Sequence, residues 1–248
     1  MEIKATLLPQ KDLEVGYELA TRRHKLPSSM QFISRLHGSH VNPYTACRYK
    51  GVTYVGLGNG TINKVDNLGN NTANFIKLPH AVITIRAHMD QLFILEYGAP
   101  YKIHVYDLNG RLVKSWNHTN TSGAYHGNKL FVSENEMFVV DAFNQQIVIY
   151  DLSGKLTRNI PCPAIQKTNT STCPAGKDCV IITSYSPPQA SKFNFKTGDV
   201  VWTTKLAGAY GPFSSTCVGQ TLLVGLNGHP EGRGVWIDVL NAENGECF

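Results

Sequence analysis

Past residue 30 the chain shows no helical 3.6-residue periodicity, and its apolar positions fall instead in short runs separated by turn-forming residues. Alternation of apolar and polar positions predicts half-exposed strands at 61–65, 102–106, 146–150, 191–195 and 235–239. A second alternating series follows at 73–78, 112–116, 156–160, 200–204 and the short 246–248. About ten residues upstream of the first series lie more continuously apolar runs, at 52–57, 91–95, 136–140, 179–183 and 221–226. Near-continuous apolarity in so short a segment means that both faces are buried, as for a strand sandwiched between neighbouring sheets. Further upstream again, 43–47, 82–87, 129–133, 168–173 and 214–218 complete a set of four strands per unit.

The unit repeats. Tyr106-Asp107-Leu108-Asn109-Gly110 returns 44 residues later as Tyr150-Asp151-Leu152-Ser153-Gly154. Weaker copies sit at 65–69, 195–198 and 240–245, so that Gly69, Gly110, Gly154, Gly198 and Gly245 are spaced 41, 44, 44 and 47 residues apart. Each glycine falls where a hairpin needs positive φ, and the Asp or Asn beside it can hydrogen-bond its own backbone. Four strands in about 44 residues, repeated five times, predict an all-β chain: a β-propeller of four-stranded blades with five recognisable blades. Leucine-rich and ankyrin arrays have shorter or helical units and do not fit.

The run Met137 to Leu156, with Asp141 ending one strand, a short polar loop, a second strand and then Asp151-Leu152-Ser153-Gly154, resembles an NHL repeat. The likeness extends in outline over residues 36–248 and is specific in this one blade, while Val200-Val201-Trp202 after Thr197-Gly198 resembles a quinoprotein-type repeat as much. Residues 4–16 look like the connector that precedes the NHL propeller of tripartite-motif (B-box) proteins. The chain has no RING, B-box or coiled coil, so ligase activity does not carry over. NHL propellers usually have six blades, whereas the fifth unit here ends within its outer strand. The expected organisation is therefore a linker at 1–35, whose segment 30–35 offers a closing strand, and a propeller at 36–248 that is either five-bladed or an incomplete six-bladed arc.

Composition narrows the function. Only 17% of residues are charged and the net charge is +5, with no dense basic run. That balance permits an anionic partner without requiring one. No stretch approaches the roughly 18 apolar residues that span a bilayer, and the N-terminal residues carry no apolar signal core. Six cysteines without CxxC or zinc spacing point to free thiols and a cytoplasmic setting. Five Asn-x-Ser/Thr tripeptides follow from an Asn/Thr-rich turn composition.

Catalytic motifs are missing. The nine histidines form no HxH or HxxxH pair, with His37 and His40 coming nearest. Asp107-Leu108-Asn109-Gly110 lacks the further oxygen ligands of a calcium hand, and 56–60 joins two strands and not a strand to a helix. No cofactor or metal is expected. The expectation is a non-catalytic binding module that holds a protein partner on the face bearing the loops between second and third strands and the crossovers between blades. These loops bring Tyr97, Tyr101, His118, Tyr125, His126, Phe143, Tyr185, Tyr210, His229 and Arg233 to one rim. Single-stranded RNA, which the NHL resemblance implies as the alternative partner, would need more cations than Arg233 on that rim; Arg48, Lys50, Arg86 and Lys129 lie nearer the inner strands. A metal-dependent propeller hydrolase or lyase is the second alternative, and it needs His and carboxylate clusters in the channel.

Overall fold

The structure is a computed structural model, which describes residues 43–118, 128–163, 165, 169–176, 178–206, 210–229 and 232–247. The repeating turns explain its regularity. Gly69, Gly110, Gly154, Gly198 and Gly245 all have φ between 77° and 94°, as the spacing predicts. In each turn the glycine N–H donates to the carbonyl of the Asp or Asn three or four residues earlier. The side chain of that same residue accepts from backbone N–H groups further round the turn, as Asp107 Oδ1 does from Asn109 and Arg111 and Asp151 Oδ1 from Ser153 and Lys155. These bonds favour the charged carboxylate and hold Asp66, Asp107 and Asp151 below the usual range.

Blade one is β1 (Pro43–Tyr49), β2 (Val52–Leu57), β3 (Thr61–Val65) and β4 (Asn71–Lys77). Blade two is β5 (Val82–His88), β6 (Gln91–Glu96), β7 (Lys102–Asp107) and β8 (Leu112–Asn117). Blade three is β9 (Asn128–Ser133), β10 (Glu136–Asp141), β11 (Gln146–Asp151) and β12 (Leu156–Pro161). Blade four is β13 (Asn169–Pro174), β14 (Cys179–Ser184), β15 (Gln189–Asn194) and β16 (Val200–Lys205). Blade five is β17 (Tyr210–Val218), β18 (Thr221–His229) and β19 (Gly232–Asn241). Each is an antiparallel meander. Inner strands β1, β5, β9, β13 and β17 surround a central channel, which makes the chain a five-bladed β-propeller.

The fifth blade departs from the expected pattern. Its outer strand is reduced to one bridge between Cys247 and Leu240. Its second hairpin is longer than expected, because the ladder continues through Asn227↔Val235 to His229↔Gly232. Most of 227–234, expected as a loop, is therefore strand; likewise Tyr210 begins β17, paired with Asn227, and is not in a crossover loop. The linker 1–35 and its expected closing strand at 30–35 lie outside the described residues.

Apolar layers between blades hold the ring together, and the nearly continuous runs in the second strands are their source. In β6, Leu92 and Ile94 face blade one while Phe93 and Leu95 face blade three. In β10, Met137 and Val139 pack toward blade two while Phe138 and Val140 pack toward blade four. Phe131 and Phe138 stack at 4.7 Å, and Phe195 of the next blade lies 4.3 Å from Phe138. Each such buried side chain contributes about 1.5–3 kcal/mol relative to exposure. The turn glycines also set the spacing between blades: a Cβ on Gly154 would stand 3.0 Å from the Trp116 ring, and one on Gly245 2.7 Å from Trp202.

Candidate functional site

Because the blades are antiparallel meanders, the loops between second and third strands share one face, here the upper face, with the crossovers; the Asp/Asn-x-x-Gly turns lie on the lower face. Three of the upper loops are tied down from beneath. In blade three, Asp141 is buried and accepts from the backbone and side-chain amides of Asn144 and from the Gln146 amide. In blade two, Glu96 is 1% exposed, accepts from the His80 backbone N–H, and pairs with His104 Nε2 at 2.8 Å. Burial opposes the Glu96 charge, but the His104 and His80 hydrogen bonds outweigh it and leave the carboxyl below its usual range. In blade one, Asn59 Oδ1 accepts from the Thr61 N–H.

The predicted rim residues whose side chains are described separate into three groups. Phe143 and Tyr185 stand on the tips of their loops, 45% and 49% exposed, as expected. Tyr97 is half-buried, edge-on to Tyr101 with ring centroids 5.6 Å apart. Tyr101 and His118 are corrections to the expected placement, for both are wholly buried. Tyr101 belongs to the layer between blades two and three, and its carbonyl accepts from the His118 N–H. His118 Nδ1 hydrogen-bonds the Tyr150 hydroxyl at 2.7 Å. Desolvation pulls the His118 imidazole down to about 4, the nearby Asp141 charge opposing it. Tyr125 and His126 lie outside the described residues. The backbones of Tyr210, His229 and Arg233 lie in β17, β18 and β19, and their side chains are likewise not described.

Sequence reasoning put Arg86 and Lys129 near the channel mouth but passed over Tyr44. Tyr44, 43% exposed, sits at the upper end of β1 and its ring lies against Gly58 in the first blade's upper loop. Below it is a cavity of about 120 Å³ to which all five inner strands contribute. Arg86 spans it, donating to its neighbour's carbonyl at Ile85 and across the channel to the Thr172 carbonyl at 3.1 Å. Lys129 faces the same space, its ammonium pushed down to about 8 by burial and by the Arg86 charge. Both cations lie in the expected channel, whereas Arg48 and Lys50 are at the lower end, beside Asn67 and Asp90. Nothing in the alternation distinguishes Lys129 from an exposed strand lysine, since period-two patterning reports the two faces of a strand and not its channel-facing edge.

Beneath the cavity, the Cys173 and Cys217 sulfurs of adjacent inner strands are 3.3 Å apart. Among the described residues no three His, Cys, Asp or Glu side chains converge to hold a metal ion. No helix there is long and apolar enough to cross a membrane.

Fold and site thus define a five-bladed propeller with aromatic loop tips around a cationic channel. Among solved structures it is similar to virginiamycin B lyase from Staphylococcus aureus, at 16% identity and a TM-score of 0.63 over 87% of this chain and 71% of that one. A protein of unknown function from Bacteroides caccae aligns with a TM-score of 0.67 at 11% identity, over 84% of this chain and 80% of that one. The WD40 propeller domain of Doa1 aligns with a TM-score of 0.61 at 14% identity, over 82% of this chain and 66% of that one. At such identities these likenesses establish the propeller fold alone. No family model matches the sequence, and no curated protein matches it.

Proposed function

We propose that this chain is a non-catalytic binding module whose upper face holds a protein partner. One observation carries the reading: Phe143, Tyr185 and Tyr44 are exposed aromatics on a single face, Phe143 on a loop that Asp141 fixes from below and Tyr44 on β1 beside the loop that Asn59 holds. Large rings held on a rigid frame give contact area at little entropic cost, which is the character of protein hot spots. WD40 propellers, of which Doa1 supplies a structural neighbour, are commonly interaction scaffolds, and this fold is compatible with that use. The NHL likeness of residues 137–156 belongs to the same proposal, with Asp141 acting there as a loop cap. A cytoplasmic setting suits the six free thiols, which an oxidising compartment would tend to pair.

Affinity capture with the full chain tests this against a Phe143→Ala/Tyr185→Ala double variant and a lower-face control, Leu68→Ala. Proteins bound by the wild type and the control but lost from the double variant support the proposal. Equal loss from the lower-face control overturns it. Retention of RNA in a filter assay, falling steeply with salt, would assign the face to RNA instead.

A further inference from the structure

We infer that the upper half of the channel is a binding site for a single small oxyanion of the phosphate or sulfate type, held between Arg86 and Lys129. The site stands independently of the partner proposed above. Two cations from adjacent blades share one cavity, and none of the residues lining it is acidic. Two of the lining residues, Thr84 and Thr172, carry buried hydroxyls that have no hydrogen-bond partner among the described residues. These threonines are 2% and 1% exposed, so bulk water does not satisfy them. A buried hydroxyl left unpaired costs about 1–3 kcal/mol, and an unanswered buried cation more.

A tetrahedral oxyanion answers the two cations. Its oxygens are acceptors only, and the wall supplies donors: a planar guanidinium and an ammonium. Ser171 extends the set, since its hydroxyl already meets the Ser215 N–H and hydroxyl at 3.0 Å in the same wall. The volume suits the ligand. A space of about 120 Å³, against about 30 Å³ per molecule in liquid water, has room for one small oxyanion. The depressed Lys129 ammonium agrees, because a neighbouring anion would restore its ordinary basicity.

The oxyanion can arrive free or as a phosphate carried on a partner's side chain, reaching in past Tyr44. Calorimetric titration of the full chain with inorganic phosphate, with sulfate, and with a short phosphoserine peptide separates the two sources. Saturable one-to-one binding of the inorganic ions assigns a free ion, and tighter binding of the peptide assigns a partner's side chain. Lys129→Met and Arg86→Met are each expected to weaken binding about tenfold or more, while Lys64→Met on the outside of blade one leaves it unchanged. Should Arg86→Met fail to fold, Lys129→Met decides alone. Absence of saturable binding by any of the three ligands, or unchanged binding in Lys129→Met, overturns the site.

Discussion

The layers between blades and the wall of the channel are built from the same strands, yet they follow opposite rules. In the layer between blades three and four, Phe131 and Phe138 stack nearly parallel and Phe195 lies tilted against both, within a cluster of buried apolar side chains. Inward, the same ring of strands turns two cations toward a shared space, and two of the residues around it, Thr84 and Thr172, carry buried hydroxyls with no partner among the described residues. The contrast teaches where stability resides and where it has been given up. Buried polar groups without partners are rare in folded proteins, and where they gather in a cavity they indicate a ligand.

The layers should fail first and furthest. Phe138→Ala removes the central ring of the stack and is expected to cost about 3–5 kcal/mol, read as a fall in the denaturant midpoint. A cost below about 1 kcal/mol would show that the layer is not the source of cohesion. Acid attacks the same layers through His118. In the unfolded chain an imidazole takes up its proton near pH 6.5, whereas in the folded protein burial delays it to about pH 4. Between those values the unfolded chain binds the extra proton, so stability falls as the pH drops, by about 3 kcal/mol in all. Replacing His118 with Gln should flatten that slope; an unchanged slope would place the acid sensitivity elsewhere.

Smaller effects probe the seams. Gly154→Ala puts a Cβ at positive φ and 3.0 Å from the Trp116 ring, and is expected to cost about 1–2 kcal/mol. The loop tips complete the series: Phe143→Ala with Tyr185→Ala should change stability by no more than about 0.5 kcal/mol per site while removing the partner in the capture experiment. A large loss of stability there would make these rings structural and blur the comparison between frame and binding face.

The sequence made the frame legible because propeller strands obey two simple rules. Runs such as 136–140 are apolar throughout since both faces meet a neighbouring blade, and Asp151-Leu152-Ser153-Gly154 marks its turn because only glycine takes φ of 94° beside Trp116 without strain. The site was legible only in part. Phe143 and Tyr185 followed from loop position, but Tyr101 and His118 occupy equivalent loops and turn inward, where a layer takes the ring of one and Tyr150 binds the imidazole of the other. Loop membership does not encode that choice. The grouping of Arg86 with Lys129 and Thr172 joins residues up to 86 positions apart, and a strand's edge toward the channel leaves no mark on its alternation.

The claim that the channel wall holds a ligand at the expense of stability is tested most directly by thermal melts of wild type and Lys129→Met at pH 7, with and without phosphate. Lys129 is protonated below about pH 8 in the folded protein and below about 10.4 in the unfolded chain. The unfolded chain therefore binds more protons between those values, stability rises with pH across that window, and at pH 7 the buried ammonium is a burden on the order of 2 kcal/mol after its partial exposure is allowed for. The account predicts that Lys129→Met melts roughly 4–8 °C higher than wild type without phosphate. It further predicts that phosphate raises the Tm of the wild type by more than that of the variant. A variant that melts lower than wild type without phosphate, or that gains as much from phosphate, would contradict it.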